Sequence, residues 1–230
     1  MNSITLLISL IIDLKKNEKK LNNDKENNYI VCQDACKNIV ENSNVPIIVS
    51  GKENIPKDEQ ILIASNHTSF YDIFLLVSII DRYITFAAAK ELMKYPILNK
   101  YIKAIDCVLI DRSTEDLKYM KQQLISMENA IKSGGLILFP EGECSYFNDD
   151  IKDFKKGGFM AASKLDTKII PTYIKYKNVK KIGKWYIPTD EVKIFFGDAF
   201  KPSEIQNKKV NAKILSEYTK EKVLQLKRSN

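Results

Sequence analysis

From Val45 onward the chain alternates short β-branched runs with longer segments of helical periodicity, and this alternation constrains the fold more than any other feature. PIIV, ILIAS, ITFAAA, CVLI, GLILF, KIIPTYIK and VKIFFG read as strands. Helical patterns cover Phe70 to Ile80 and the stretches 91–103, 115–132 and 157–165, and a lysine-rich amphipathic helix near 208–227 closes the chain. Strands alternating with helices at this spacing predict an α/β sheet covered on both faces. GLILF is apolar throughout, as expected of a strand buried on both sides.

Ahead of this region, residues 1–44 are rich in Asn, Lys and Glu, with apolar spacing that suits two helices, one on each side of the polar stretch 15–27. The chain therefore divides into an N-terminal helical segment, 1–44, and a main domain, 45–230. The apolar run Ile4 to Ile12 is nine residues long, against the roughly 20 that a membrane-spanning helix needs. Its lysines follow the apolar run, which argues against a signal peptide. Such a segment either lies at a membrane surface with its lysines near anionic headgroups or docks on the core.

Apolar residues at 44% and charged residues at 28% are ordinary globular values and exclude wholesale disorder. Lys and Arg outnumber Asp and Glu by 36 to 29, a net charge of +7. That balance suits an anionic partner (membrane surface, phosphorylated substrate, acidic carrier protein or nucleic acid) or a plain solvated lysine surface. No RNA-binding signature, zinc finger or recognition helix supports nucleic acid. Cys32, Cys36, Cys107 and Cys144 are scattered and lack the paired spacing of a zinc site, so no metal is expected and free, packed thiols are.

In open α/β sheets ligands bind beyond the carboxyl ends of the strands, so the residues after each strand matter most. After ILIAS comes NHTSFYD, which holds the one histidine, His67, with Asp72 five residues on. On a continuous helix that spacing separates side chains by about 140°. The two can act together only if His67 sits in the loop and Asp72 in the first helical turn. Ser69 is a good N-cap, which places Asp72 at N3. The aspartate is then either a capping-box residue or a partner of the histidine. After CVLI comes Asp111-Arg112, an arginine suited to bidentate phosphate or carboxylate recognition or to a surface ion pair. After GLILF comes Pro140-Glu141-Gly142, where proline ends the strand, glycine allows close backbone approach, and the glutamate is placed to bind a hydroxyl or a cation. Pro171 follows the strand pattern Lys168 to Ile170.

In order, NHTSFYD, CVLIDR, LFPEGECS and IIPTYI resemble the four motifs of the glycerolipid acyltransferases, and most closely those of the 1-acylglycerol-3-phosphate (lysophosphatidic acid) acyltransferases, from about Val45 to Gly197. The resemblance implies an α/β fold of the glycerol-3-phosphate acyltransferase-like kind, a mixed, largely parallel central sheet flanked by helices, with N-terminal helices. It implies His67 as general base and Asp72 as its orienting carboxylate, the HX4D pair. It also implies Arg112 on the acceptor phosphate, Glu141 on the glycerol with Gly142 admitting the backbone beside it, and the Pro171 segment in the pocket wall. No cofactor is implied. The donor would be acyl-CoA or acyl carrier protein and the acceptor a lysophospholipid, in phospholipid biosynthesis on the inner face of the cell membrane, where the protein would be cytoplasmic and peripherally attached to an anionic surface.

Two departures stand out. The third motif carries Glu143 and Cys144 where the family commonly has a small polar residue and an arginine, so the local charge falls by two. The second motif has Asp106 where glycine is usual. These open the alternatives of a different lysolipid acceptor, or of water as acceptor in a thioesterase.

Overall fold

Ile61–Ser65 (β2) is buried at every residue, because it lies at the centre of a seven-stranded sheet with a helical layer on each side. The computed structural model describes residues 11–113, 115–146, 150–182, 185–205 and 210–230. The strands are β1 (Ile47–Ser50), β2, β3 (Thr85–Ala89), β4 (Val108–Ile110), β5 (Gly135–Leu138), β6 (Lys168–Tyr176), β7 (Val179–Ile182), β8 (Trp185–Pro188) and β9 (Val192–Phe196). The sheet runs β1-β9-β6-β2-β5-β3-β4, and β7-β8 form a separate hairpin. β6, β2, β5, β3 and β4 are mutually parallel, while β9 pairs antiparallel to β6 and takes β1 with it. The result is the mixed, largely parallel sheet that the family resemblance implies.

Register follows from burial on both faces. Ile63 stands opposite Ile137 on one side and Ile170 on the other. Alternate residues of each strand enter two cores. Ile61 and Ile63 pack with α1 (Lys25–Asn42), α2 (Asp72–Ile79) and α3 (Pro96–Ala104). Leu62 and Ala64 pack with α4 (Leu117–Lys132), α5 (Met160–Leu165) and α6 (Ala212–Ser229). Each fully buried Ile or Leu contributes roughly 1.5–3 kcal/mol of transfer free energy.

The N-terminal segment shares the first core. Residues 11–17 are helical, with Leu14 buried and its carbonyl accepting the Tyr101 hydroxyl at 2.7 Å. Ile11 and Ile12 stay exposed, and the rest of the apolar run 4–12 lies outside the described residues. Asp24 caps α1 by accepting from the amides of Glu26 and Asn27.

Three local expectations change. The pattern 91–103 is two elements, a 3-10 turn Lys90–Lys94 and then α3, because Pro96 occupies N1 and holds Tyr95 extended. Pro171 does not end its strand: β6 runs on to Tyr176 and pairs with β2 through Ala64–Pro171. The Pro171 backbone faces β9, where its carbonyl accepts the Gly197 amide and the ladder begins only at Thr172–Phe196, so no N–H is needed at 171. The hairpin β7-β8 falls where no strand was expected. Asp106 adopts φ of 49°, the left-handed conformation that explains why glycine suits this place.

Candidate active site

The parallel strands present their carboxyl ends on one edge, where His67 follows β2, Arg112 follows β4 and Gly142 follows β5. His67 Nδ1 lies 2.8 Å from Asp72 Oδ2. An ionised Asp72 accepts from Nδ1–H, which leaves the imidazole lone pair on Nε2. The ring stacks on Phe139, with centroids 4.1 Å apart and planes 17° from parallel. Its side chain is 23% exposed and borders a large cavity.

Asp72 is fully buried. Besides His67, Oδ2 accepts the backbone N–H groups of Thr68 at 2.7 Å and Ser69 at 2.9 Å, and Oδ1 accepts the Tyr176 hydroxyl. A carboxylate, acceptor-only when ionised, matches these four donors. Ser69 Oγ accepts from the Tyr71 amide at 3.1 Å. Ser69 and Asp72 thus brace the turn 69–72 that leads into α2, but not as the expected capping box. Tyr71 is the N-cap and has no side-chain cap bond, Asp72 is the first helical residue rather than N3, and Ser69 Oγ takes the Tyr71 amide rather than that of Asp72. The carboxylate that accepts the Ser69 amide is the one that faces the histidine. Burial first, and then the adjacent Asp72 charge, push the Tyr176 hydroxyl well above the usual tyrosine range, so it remains a donor.

Glu141 stands apart from its expected role. It is 2% exposed and is not among the residues that line the His67 cavity. Its Oε1 accepts the His67 amide at 2.8 Å and its Oε2 the Lys152 amide at 2.9 Å. Burial raises its pKa, and those two amides oppose the rise. Glu141 is therefore a strut joining the His67 loop to the 150–156 loop, and its turn position resembled a binding position because both put a carboxylate at a strand end. The Ser145 amide adds a second tie, donating to the His67 carbonyl at 2.7 Å. Pro171 likewise lies off the cavity lining, inside β6.

Gly142 and Arg112 do line the cavity. Gly142 has φ of 75°, and its carbonyl accepts from the Arg112 guanidinium. No residue pattern marks Tyr176, Lys155 on the same cavity wall, or the part played by Asn66, whose side-chain amide bonds both backbone groups of Ile174 at 2.8 and 3.0 Å and so fixes the His67 loop to β6.

The cavity has a volume of about 1060 Å³ and is mostly apolar. It runs from His67 and Phe139 past Phe74 and Phe86 to Leu14, Cys32 and Cys36. Cys144 also borders it, but burial pushes its thiol up to about 12, which removes the thiolate a protein nucleophile would need. Among the described residues no group of three or more His, Cys, Asp or Glu is placed to hold a metal ion.

A family model described as acyltransferase matches residues 46–175, from β1 through most of β6. The chain belongs to the acyltransferase family. Among its relatives in this family, a probable 1-acyl-sn-glycerol-3-phosphate acyltransferase of Mycoplasma genitalium is 29% identical over 69% of this chain and 62% of its own length. The 1-acyl-sn-glycerol-3-phosphate acyltransferase of Saccharomyces cerevisiae is 34% identical over 55% of this chain and 42% of its own length. The match thus spans roughly half of these relatives. The crystal structure of a 1-acyl-sn-glycerophosphate acyltransferase from Thermotoga maritima superposes with a TM-score of 0.73, at 21% identity, over 99% of this chain and 97% of that one. This acyltransferase therefore shares its whole described fold with that structure.

Proposed function

We propose that this protein transfers a fatty acyl group from an acyl thioester, of coenzyme A or of an acyl carrier protein, to the free hydroxyl of 1-acylglycerol-3-phosphate. The observation that carries the reading is the 2.8 Å contact of His67 Nδ1 with buried Asp72, at a cavity whose wall also holds Arg112. The names of the relatives support this acceptor.

In this reading Nε2 of His67 takes the acceptor's hydroxyl proton as its oxygen attacks the thioester carbonyl. The C–S bond breaks, and the departing sulfur receives the proton from the imidazolium. Asp72 holds the ring and stabilises its charge in the transition state, as in a triad whose nucleophile is the substrate. Arg112 grips the acceptor phosphate, and Gly142 lets the backbone stay close to it. Glu141 acts as a positioning residue. The apolar cavity takes the acyl chain, and no cofactor takes part.

The surface supports a peripheral site of action on the inner face of the cell membrane. The net charge is +7, Ile11 and Ile12 are exposed, and no helix among the described residues is long and apolar enough to cross a membrane. Anionic headgroups attract such a surface. The test offers purified protein a labelled acyl thioester with lysolipids of different head groups. Diacylated product from 1-acylglycerol-3-phosphate, in preference to the others, supports the reading. Preference for another head group would redirect the acceptor, and thiol release without any lipid product would contradict acyl transfer.

A further inference from the structure

The third motif of this chain has an acidic residue, Glu143, and lacks a cation at Cys144. The structure answers both departures from one loop, 150–156. Lys152 Nζ pairs with Glu143 Oε1 at 2.9 Å, so the added carboxylate is offset. Lys155 is tied to the strand end by its amide, which donates to the Pro140 carbonyl at 2.8 Å. Its side chain lies against Gly142: a Cβ built there would come within 2.8 Å of Nζ and 3.0 Å of Cδ and Cε.

Gly142 thus has the Arg112 guanidinium on its carbonyl and the Lys155 ammonium against its Cα, and all three residues line the cavity that holds His67. Nearby lysines are committed elsewhere, Lys90 to Asp111 and Lys152 to Glu143. Among the described residues neither Arg112 nor Lys155 has a carboxylate partner within ion-pair distance. Two cations of different geometry, a planar fork and a point charge, thus meet at one glycine beside the proposed base, with Glu143, already paired with Lys152, as the carboxylate that feels both charges. Any other residue at Gly142 would take the space against Lys155 in a backbone conformation that side chains rarely adopt.

We infer that Lys155 is the second cation of the acceptor-phosphate subsite, placed across Gly142 from Arg112 and standing in for the charge missing at Cys144. The ligand is a phosphate monoester, which carries about −1.5 to −2 near neutral pH and matches the net +2 of Arg112, Lys152 and Lys155 against Glu143. A neutral monoacylglycerol makes no use of this charge, and a phosphodiester, with one negative charge, uses only part. The inference rests on the acyl-transfer reading and specifies how that site chooses its acceptor.

The test compares wild type, Lys155→Met and Lys155→Arg, using a short-chain 1-acylglycerol-3-phosphate and the matching 1-acylglycerol. Turnover gives kcat and KM for each acceptor. Calorimetric titration of the same phosphate acceptor, with His67→Ala as background, gives Kd without turnover. The expected result is that Lys155→Met raises KM and Kd for the phosphate acceptor about tenfold or more, with a smaller effect on kcat, and that Lys155→Arg recovers most of the loss. The preference for phosphate over neutral acceptor falls in the same proportion. Unchanged KM and Kd in a folded Lys155→Met protein would overturn the subsite while leaving acyl transfer intact. If wild type binds the phosphate acceptor but transfers nothing, acyl transfer fails and the Kd ratio still decides the role of Lys155. A protein that does not bind the phosphate acceptor at all overturns the subsite.

Discussion

The Tyr176 hydroxyl donates to Asp72 Oδ1, the carboxylate oxygen that His67 leaves free. The two residues are 104 positions apart in the chain, and they meet because β6 runs on through Pro171. A hydrogen bond to a charged group contributes about 1.5–3 kcal/mol. Tyr176→Phe is therefore expected to lower kcat about tenfold by loosening Asp72 behind the imidazole. Asp72→Asn, which disturbs the contact with His67 itself, is expected to cost on the order of 10³–10⁴ by analogy with other His–Asp pairs. Steady-state kinetics on both variants checks the order, and an unchanged kcat in Tyr176→Phe would remove the tyrosine from the mechanism.

Glu141 spends both carboxylate oxygens on amides, of His67 and Lys152. In Glu141→Gln one of those amides faces an NH2 group instead of an acceptor. The expected outcome is a loss of roughly 1–3 kcal/mol in denaturant unfolding, with reduced kcat through the displaced His67 loop. A variant of native stability whose only defect is a raised acceptor KM would return Glu141 to the substrate.

Much of this arrangement is legible in the sequence, and the exceptions have physical causes. β2 and β5 announce themselves as continuous apolar runs because both of their faces are covered. The pairing of His67 with Asp72 follows from helix geometry, which puts the histidine in the loop and the aspartate in the first helical turn. The expected N-cap at Ser69 is two residues early, because the turn 69–72 precedes the helix and Tyr71 is its N-cap. Tyr176 is hidden because a proline in mid-strand looks like a strand end unless the partner ladder is known to start one residue later. The hairpin β7-β8 is lysine-rich and lacks alternating apolar residues, so no period marks it. Lys152 and Lys155 are hidden for a third reason: they lie beyond the motif they complement, and only the fold of loop 150–156 brings them back to Glu143 and Gly142.

Cys144 borders the cavity with its thiol held near 12 by burial. It is expected to resist iodoacetamide at pH 7.5 in the native state and to react fully once unfolded, and Cys144→Ser should keep most of its turnover. Mass spectrometry of the alkylated protein, with kinetics of the serine variant, tests this. Rapid native alkylation together with an inactive serine variant would revive a protein nucleophile.

Asp111 bonds Lys90 first and then Ser113, and its carboxyl is held at about 2, below its ordinary 3.8. A depressed folded-state value contributes stability that is present above the unfolded value and lost as pH falls through the folded one. The contribution is thus complete above about pH 4 and disappears toward pH 2. Lys90→Met should flatten the fall of unfolding free energy over that window, measured by urea titration at several pH values. An identical acid slope in the two proteins would show that the pair does not form in solution.

Acceptor-dependent thiol release from an acyl thioester, compared between wild type and His67→Ala, tests the central claim most directly. Wild type is expected to release thiol in proportion to added 1-acylglycerol-3-phosphate. His67→Ala, with native circular dichroism and a native melting temperature, is expected to release it at least a hundredfold more slowly, the span that general-base catalysis of about 10²–10⁴ allows. Full acceptor-dependent release by a folded His67→Ala protein would contradict the account.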